Sequence, residues 1–448
     1  MIWLLPLFGV LFVVAASVAI LLPWARRTGD LFSSWNLFLL GSINYVGLAS
    51  VTNSRSLLPN DFNRGEIPLF VLGGILLYGT AALTYFKGNW IRERALRGLV
   101  PCFGDTGPIA VRGVIALTFA TLACLVGSRL PVVTEIARII LAPMAIAVTA
   151  LVFCWVISRP ANVVGWLILP VVAGAAFFVA SLNGIGRRDL LGLILLFPIV
   201  VYWQRLRVLP VGRTAVVLAV LGFGGITVLN GFTSIRHVGI REGVTGVELA
   251  QQRVAALPGA VIDSVVNRRS LTEGGDALIG GQNAVYCSLL TIKLVVTTEE
   301  LPVYPLQSVA YTLLHPIPRR YWSDKPRAFG EFLPAFVGKG YVNWGPGVIG
   351  HGFYDGGIPV LIFYGFLIGG GTLLFDTRLR ADPNNPLRLA MLSSISGQVV
   401  AFSRGDIGLF SVLILGALTV EWVVLRVAGT RRVLLERWHA HAAQFGRG

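Results

Sequence analysis

The chain has 448 residues, of which 55% are hydrophobic and only 13% are charged, and its mean hydropathy is +0.73. A soluble domain has roughly 25% charged residues, so this composition excludes an ordinary soluble protein and predicts a surface that largely faces lipid. The formal net charge of +15 does not predict nucleic acid as a partner, because the arginines and lysines are concentrated in short loops between apolar runs, as the positive-inside rule describes.

Apolar runs close to the ~20 residues that cross a bilayer recur along the chain. They predict an all-α polytopic integral membrane protein with about eleven transmembrane helices, within a range of ten to fourteen. Two of the spans are weak, because they are short and carry several polar residues; these are 35–51 and 389–403. The predicted spans are 3–24, 35–51, 67–86, 109–127, 131–157, 163–182, 189–203, 214–231, 357–375, 389–403 and 406–427.

The basic residues of the short loops lie mostly on one side of these spans. The positive-inside rule then places the N-terminus outside and the C-terminal tail in the cytoplasm. Four segments follow: an N-terminal transmembrane bundle (1–231), an extracytoplasmic loop (232–356), C-terminal transmembrane helices (357–427) and a cytoplasmic tail (428–448).

The extracytoplasmic loop is the one large polar segment, about 125 residues long. It is much longer than an ordinary connection, and such loops usually carry function. From Glu248 to Arg269 its pattern predicts an amphipathic helix interrupted at Leu257-Pro258-Gly259. From Ala284 to Val296 it is apolar apart from Lys293, and this stretch is too short to span a bilayer.

Several motifs are absent from the sequence. It has no P-loop, no H-E-x-x-H, no G-x-S-x-G and no D-x-D. These absences exclude a P-loop ATPase and disfavour a metal-dependent sugar-nucleotide transferase, so we expect neither a metal nor another cofactor. The loop is instead rich in arginine, whose planar guanidinium suits phosphate. An anionic, lipid-linked ligand is the natural expectation, although arginines beside a membrane also bind headgroups or form structural ion pairs.

The most distinctive part of the loop is HPIPRRYWSDKP at residues 315–326. Pro316 and Pro318 restrict the backbone before Arg319 and Arg320. The pattern predicts a stiff turn that presents two adjacent guanidinium groups. Its Tyr-Trp pair is typical of an interfacial anchor and is also compatible with stacking on a sugar.

Two further positions stand out near the last spans. Arg404, within S-R-G-D, lies at the outer edge of the bilayer, where ligand binding and anchoring are both reasonable roles. His351 and Asp355 are four residues apart in a glycine-rich stretch, and a histidine beside a carboxylate can act as a general base for a sugar hydroxyl. A structural role is the alternative for this histidine. The glycines themselves indicate close approach of the backbone to a neighbour or to a substrate.

The segment I-P-R-R-Y-W-S-D-K-P at 317–326 resembles the I-P-R-x-x-W-P-x-K-P segment of Wzy-type O-antigen and oligosaccharide repeat-unit polymerases. The glycine-rich stretch that follows and the R-G-D at 404–406 are also similar to that family, so the resemblance covers about the C-terminal half. Ser323 stands where a proline is usual, and His351 stands near where a Gly/Ser-Glu pair is expected.

The resemblance implies a GT-C-like glycosyltransferase in the bacterial cytoplasmic membrane. It would polymerise undecaprenyl-diphosphate-linked oligosaccharide repeat units on the outer face, without a metal or nucleotide, alongside a flippase and a chain-length regulator. The implied donor-diphosphate ligands are Arg319, Arg320, Lys325 and Arg404, to which we add Arg236 as a loop cation. Weak base assistance would come from His351, Asp355, His315 or Glu331.

Three other functions fit the same architecture. An O-antigen ligase would transfer a finished glycan to a different acceptor, and the I-P-R…K-P segment favours the polymerase over it. A transporter or flippase of lipid-linked sugars would be expected to have charged or broken helices at the midplane, whereas most spans here are apolar. A non-enzymatic scaffold would leave the arginine-proline turn unexplained.

Overall fold

The structure is a computed structural model that describes residues 3–56, 62, 65–97, 99, 106–128, 134–182, 187–235, 244, 246–266, 284–319, 321–323, 325–339, 344–428 and 436. Within these ranges the ordered elements are helices, and no strand occurs. A helix satisfies its backbone hydrogen bonds internally, which a lipid environment requires.

The described helices, numbered in chain order, are α1 (Leu4–Ala25), α2 (Ser34–Ser42), α3 (Ala49–Ser56), α4 (Glu66–Lys87), α5 (Asn89–Leu96), α6 (Gly107–Gly127), α7 (Thr134–Ser158), α8 (Val163–Leu182), α9 (Arg187–Gln204), α10 (Val211–Ile235), α11 (Gly246–Val266), α12 (Ala284–Ile292), α13 (Gln307–Leu314), α14 (Phe329–Phe336), α15 (Gly347–Tyr354), α16 (Ile358–Ala381), α17 (Pro386–Ala401) and α18 (Ile407–Val427). Two π-helical turns, Ile43–Leu48 and Lys293–Thr297, follow α2 and α12, and a short 3₁₀ turn, Leu206–Val208, follows α9.

Eight of the described helices are long and apolar enough to cross a bilayer, and the chain is therefore a multi-pass helical membrane protein. They are α1, α4, α6, α7, α8, α10, α16 and α18, which correspond to eight of the predicted spans. The other three predicted spans are helical but less suited to crossing. The span predicted at 35–51 is divided by a π-helical turn. The helix at the predicted span 189–203 has three charged residues in its first turn, and the helix at 389–403 has only 16 residues. Eleven spans therefore remain a prediction.

The described chain divides into two units, and neither follows the sequence-based boundaries at 231 and 356. The first comprises Met1–Arg97, Gly275–Thr377 and Val399–Val412, and the second comprises Gly98–Gly274, Arg378–Gln398 and Leu413–Gly448. Each unit combines N-terminal spans with later segments, so the C-terminal helices α16, α17 and α18 contribute residues to both.

In the first unit, α4 and α16 pack through backbone contact at two glycines. A Cβ at Gly365 would lie 2.5 Å from the Leu77 carbonyl oxygen, and one at Gly369 would lie 2.3 Å from that of Ala81. Their four-residue spacing is the small-residue pattern that lets membrane helices approach closely. Because van der Waals contact drives such packing, a larger side chain at either position would separate the helices.

The same helix α16 also supplies a cap for α2. The buried carboxylate of Asp376 accepts hydrogen bonds from the backbone N–H groups of Ser34 (2.7 Å) and Trp35 (3.2 Å), and from the hydroxyl of Tyr85 (2.9 Å). A carboxylate at a helix N-terminus satisfies orphan donors and complements the helix dipole. This contact ties the end of α16 to the start of α2.

In the second unit, α11 packs against α10 with close backbone contact. A Cβ at Gly231 would lie 3.0 Å from the Val261 backbone nitrogen, and the Ser264 hydroxyl donates to the Thr227 carbonyl over 3.2 Å. The helix runs without a break from Gly246 to Val266. The predicted interruption at Leu257-Pro258-Gly259 is therefore wrong, because contacts with α10 support the helix through this stretch.

Candidate functional site

The start of α18 is fixed by Asp406, the last residue of the S-R-G-D motif. Its buried carboxylate accepts from the Leu409 backbone N–H over 3.0 Å, which is an N-terminal helix cap. It also accepts from the Gly330 backbone N–H over 2.7 Å, at the start of α14. The Asp406 side chain therefore joins the segment after the 315–326 turn to the N-terminus of α18.

His351 lies on α15 and is fully buried. Its Nδ1 is 2.8 Å from the Ser308 hydroxyl, and the Ile407 backbone N–H donates to its Nε2 over 3.3 Å. Because Nε2 accepts that bond, the neutral ring carries its proton on Nδ1 and donates to Ser308. Asp406 Oδ1 lies 3.8 Å from Nε2, in reach of the ring if the imidazole is protonated.

Asp355 follows α15 and is also fully buried. Its carboxylate accepts from the Ser308 backbone N–H over 3.1 Å and from the Tyr364 hydroxyl. Burial raises the pKa of this carboxyl above its usual value of 3.8, while His351 and the two hydrogen-bond donors oppose the rise. We refer to Ser308, His351, Asp355, Tyr364 and Asp406 together as the buried polar node.

The buried polar node suits positioning better than proton transfer. Both ring nitrogens of His351 already have partners, and the side chain has no exposed surface. A general base needs a free lone pair within reach of the substrate hydroxyl. A catalytic role for His351 or Asp355 therefore stays a prediction that would require the node to open.

An apolar cluster lies beside the node and holds the short helices α14 and α15 against the π-helical turn Lys293–Thr297. Phe329 stacks on Tyr354 with ring centroids 4.0 Å apart and meets the edge of the His351 ring at 5.1 Å. Burial of such aromatic and aliphatic side chains is the main stabilising contribution available to this region. The buried members are Leu294, Val295, Leu301, Phe329, Leu333 and Tyr354.

The turn at 315–326 is held by its own cations. The buried Lys325 ammonium donates to the carbonyls of His315 (2.7 Å) and Ile317 (2.8 Å). The Arg319 guanidinium donates in return to the carbonyls of Lys325 (2.9 Å) and Pro326 (3.1 Å). These four bonds cross-link the two ends of the turn, so its stiffness comes from lysine and arginine as well as from proline.

Arg404 is half-buried, with its guanidinium carbon 5.9 Å from the centre of the Tyr45 ring. The glycine-rich stretch packs directly on its backbone, which is the first of the two alternatives that the sequence leaves open. A Cβ at Gly345 would lie 2.3 Å from the Arg404 carbonyl oxygen, and that oxygen accepts from the Gly347 N–H over 3.1 Å. The backbone position of this arginine is therefore tightly determined.

Sequence reasoning noted Lys293 as a charge in an apolar stretch but missed its aromatic partner. The Lys293 ammonium lies 5.9 Å from the centre of the Phe62 ring, at the start of a π-helical turn. Tyr45, whose ring contacts the Arg404 guanidinium, lies on the other π-helical turn, Ile43–Leu48. A lone lysine in an apolar stretch was the available signal, and it did not reveal the aromatic partner.

Of the remaining predicted site residues, the structure describes His315 and Glu331. His315 is half-buried and contacts the Tyr311 ring, with centroids 5.1 Å apart. Glu331 is exposed in the first turn of α14. Arg236 and Arg320 lie outside the described residues. The described site therefore brings together His351 and Asp355, and Arg319 with Lys325, as two separate groups.

The described residues contain no cluster of histidine, cysteine or carboxylate side chains that could hold a metal ion. Comparison of the chain with known protein families, with curated proteins and with solved structures found no match.

Proposed function

We propose that this chain is a glycosyltransferase of the bacterial cytoplasmic membrane, which polymerises undecaprenyl-diphosphate-linked oligosaccharide repeat units into a surface polysaccharide. The proposal includes the GT-C-like architecture, eleven spans, an outside N-terminus and a cytoplasmic C-terminal tail. It rests on the multi-pass helical fold, on the I-P-R…K-P resemblance and on the arrangement of the segment from 307 to 336.

One observation carries the proposal furthest: the cationic turn at 315–326 is fixed at both ends by the buried polar node. Before the turn, Ser308 on α13 binds His351 and Asp355. After the turn, Gly330 at the start of α14 binds Asp406. Rigidly supported cations are what a site for a charged leaving group requires, because preorganised charge needs no rearrangement during the reaction.

The reaction needs little from the protein beyond orientation and charge. The acceptor hydroxyl oxygen bonds to the anomeric carbon of the donor, the bond from that carbon to the diphosphate oxygen breaks, and the hydroxyl proton passes to a base or to water. Negative charge develops on the departing lipid diphosphate. Arg319, with Lys325 behind it and Arg404 as a further cation, would stabilise that charge.

The test uses the full chain in proteoliposomes with a lipid-diphosphate-linked oligosaccharide and no added metal or nucleotide. We expect products longer than one repeat unit from the native protein and single units from Arg319→Ala. Arg327→Ala is the matched control, because Arg327 is an exposed arginine of the same segment. Arg319→Lys keeps the charge but not the paired bonds to two carbonyls, and we expect intermediate elongation.

One outcome would remove Arg319 from the mechanism, and two would overturn the polymerase. Long chains from Arg319→Ala would remove the arginine from the mechanism. Transfer of a preformed polymer to a different acceptor, without elongation, would indicate a ligase. Movement of the lipid-linked unit across the bilayer without any new glycosidic bond would indicate a flippase.

A further inference from the structure

Helix α18 is one of the eight long apolar helices, and it carries a glutamate at position 421. Glu421 has no exposed surface and lies about 9 Å from the C-terminal end of the helix. Neither oxygen of its carboxyl group forms a hydrogen bond with another described residue. An ionisable side chain inside a membrane is costly and is usually functional, so the surroundings of this carboxyl group are informative.

Helix α17 packs beside this part of α18. A short connection joins the two helices, which favours an antiparallel pair. Both approach Gly113 on α6, where a Cβ would lie 3.3 Å from a methyl carbon of Leu387 and 3.5 Å from one of Leu425. From this level, Glu421 lies about 6 Å and Ser394 about 10 Å along the two axes in the same direction. Because a helical side chain leans towards the N-terminus of its helix, the glutamate side chain reaches the level of the serine.

The Ser394 hydroxyl faces the Glu421 carboxyl group without forming a hydrogen bond of normal geometry with it. It donates instead to the carbonyl of Met391 over 2.9 Å. A hydroxyl has only one proton to donate, so its side towards Glu421 presents oxygen lone pairs. Two oxygen groups that meet through lone pairs repel each other unless a proton or a cation lies between them.

The charged side chains of the neighbouring helices form no ion pair with Glu421 within the part of the chain that the structure describes. Arg426 lies over a tryptophan ring of its own helix, 5.0 Å from the ring centre. Arg388 on α17 pairs with Asp382 over 3.3 Å, and Arg112 on α6 is exposed. The described contact of α18 with α7 is apolar. Because an uncompensated buried charge is strongly unfavourable, the carboxyl group requires a bound proton or another cation.

A row of polar residues on α17 continues from this carboxyl group to the start of α9. Gln398, one turn after Ser394, is buried and donates to the carboxylate of Asp189 over 2.6 Å. The two helices are in backbone contact here, since a Cβ at Gly397 would overlap the Arg188 carbonyl oxygen. Asp189 is half-buried in the first turn of α9. Polar groups therefore extend from the buried glutamate towards the protein surface, as an ion that enters an apolar bundle requires.

We propose that Glu421 and Ser394 form a binding site for a proton or another small monovalent cation inside the membrane. The carboxyl group supplies the negative charge and Ser394 supplies an accepting oxygen. A bound proton resides on the carboxyl group and is donated to Ser394 in a hydrogen bond, whereas a sodium ion is held by the oxygens of both groups. The site goes beyond the proposed polymerase and does not depend on it.

Infrared difference spectroscopy of the full chain in proteoliposomes tests the site, because a protonated carboxyl group has a C=O stretch that a carboxylate lacks. Spectra are compared from about pH 5 to about pH 9, a range in which an ordinary glutamate stays ionised. The series is recorded in choline chloride and again in sodium chloride. We expect a Glu421 band that decreases as pH rises. A band that sodium leaves unchanged identifies a proton site, and a band that sodium reduces at constant pH identifies a site that sodium also occupies.

Four variants assign the band and the role of the serine. Glu421→Gln keeps the shape of the side chain but cannot titrate, so it should abolish the band. Glu248→Gln is the matched control, since Glu248 is an exposed glutamate of the same unit, and it should leave the band unchanged. Ser394→Ala removes the accepting oxygen, so the proton should bind about tenfold more weakly and the midpoint should move about one pH unit lower. Ser394→Thr retains a hydroxyl and should keep the native midpoint.

The site is overturned if the Glu421 band is equally strong at every pH and in both salts, because the acid is then a permanently neutral structural group. It is also overturned if the native protein and Glu421→Gln give identical spectra throughout, because the carboxyl group then binds neither ion. A midpoint that moves to higher pH in Ser394→Ala would show that Ser394 donates to the carboxylate and would refute the lone-pair arrangement. This last measurement leaves Glu421 in place, so it decides the question even if Glu421→Gln does not fold.

Discussion

Replacing His351 distinguishes a positioning residue from a general base. The amide nitrogen of an asparagine lies near the position of Nδ1, and the amide oxygen of a glutamine lies near that of Nε2. His351→Asn should therefore keep a donor for the Ser308 hydroxyl but lose the acceptor for the Ile407 N–H. His351→Gln should keep the acceptor for Ile407 and lose the bond to Ser308.

The structure predicts which of the two variants loses more stability. Ile407 is buried, and a buried N–H left without an acceptor costs about 1–3 kcal/mol. Loss of the ring that meets Phe329 edge-on adds about 1 kcal/mol for incomplete packing. The Ser308 hydroxyl can rotate to another acceptor, so its loss costs only about 0.5–1.5 kcal/mol. Asparagine should be the more destabilising variant, at about 2–4 kcal/mol.

The measurement is thermal unfolding in detergent micelles, with elongation assayed well below each melting temperature. The shift is about 2–4 °C per kcal/mol for chains of 150–250 residues and smaller for longer chains. We therefore expect a loss of a few degrees for asparagine and a smaller loss for glutamine. Elongation should fall in the same order, because the node supports the cationic turn.

A general base would give a different pattern. Both variants would then lose elongation by a hundredfold or more, the usual contribution of a positioned base being about 10²–10⁴, while retaining nearly native melting temperatures. That result would refute the positioning interpretation and would return His351 to the catalytic role that the sequence first suggested.

Three further predictions follow from the same unit. Burial raises the pKa of Asp355 above 3.8, so the folded state binds this proton more tightly than the unfolded state, and its contribution to stability falls as pH rises above 3.8. Asp355→Asn should remove that loss. The melting temperature of the variant relative to that of the native protein should therefore rise as pH rises. A difference that does not change with pH would contradict the prediction. Gly345→Ala places a Cβ 2.3 Å from a carbonyl oxygen and should lower both melting temperature and elongation, whereas Gly371→Ala, with nothing within 4 Å, should be neutral or stabilising. Lys325→Met leaves two carbonyls without their donor, and limited proteolysis should cleave the 315–326 turn faster than in the native protein; equal cleavage would show that proline alone holds it.

Hydropathy predicted the spanning helices well, because crossing a bilayer requires long apolar helices whatever their neighbours are. Eight spans were found close to their predicted ends. The four-residue spacing of Gly365 and Gly369 is likewise visible in the sequence. The continuity of α11 through Pro258 was not predictable, since a proline normally interrupts a helix and here the packing against α10 compensates.

The site was predictable only where its residues are neighbours in sequence. His351 and Asp355 are one helical turn apart, so the sequence predicts that they are neighbours, and both bind Ser308 in the structure. Their shared partner Ser308 is 43 residues from His351 and gives no local pattern. The π-helical turns have no sequence signature either, so the sequence shows Lys293 only as a charge in an apolar stretch and does not predict its contact with the Phe62 ring.

The partners of Arg319 also bear on how the turn functions. Its two hydrogen bonds are to backbone carbonyls, which are dipoles that orient the guanidinium without cancelling its charge. A carboxylate partner would have neutralised it and reduced attraction for an anion. The guanidinium is exposed, and exposed charges are screened over about 8–10 Å in physiological salt. Arg319 should therefore attract a diphosphate only when it is close, which requires the rigid support from the buried polar node. A substitution at the fully buried His351 is therefore expected to reduce elongation, because the buried polar node holds the turn that carries Arg319.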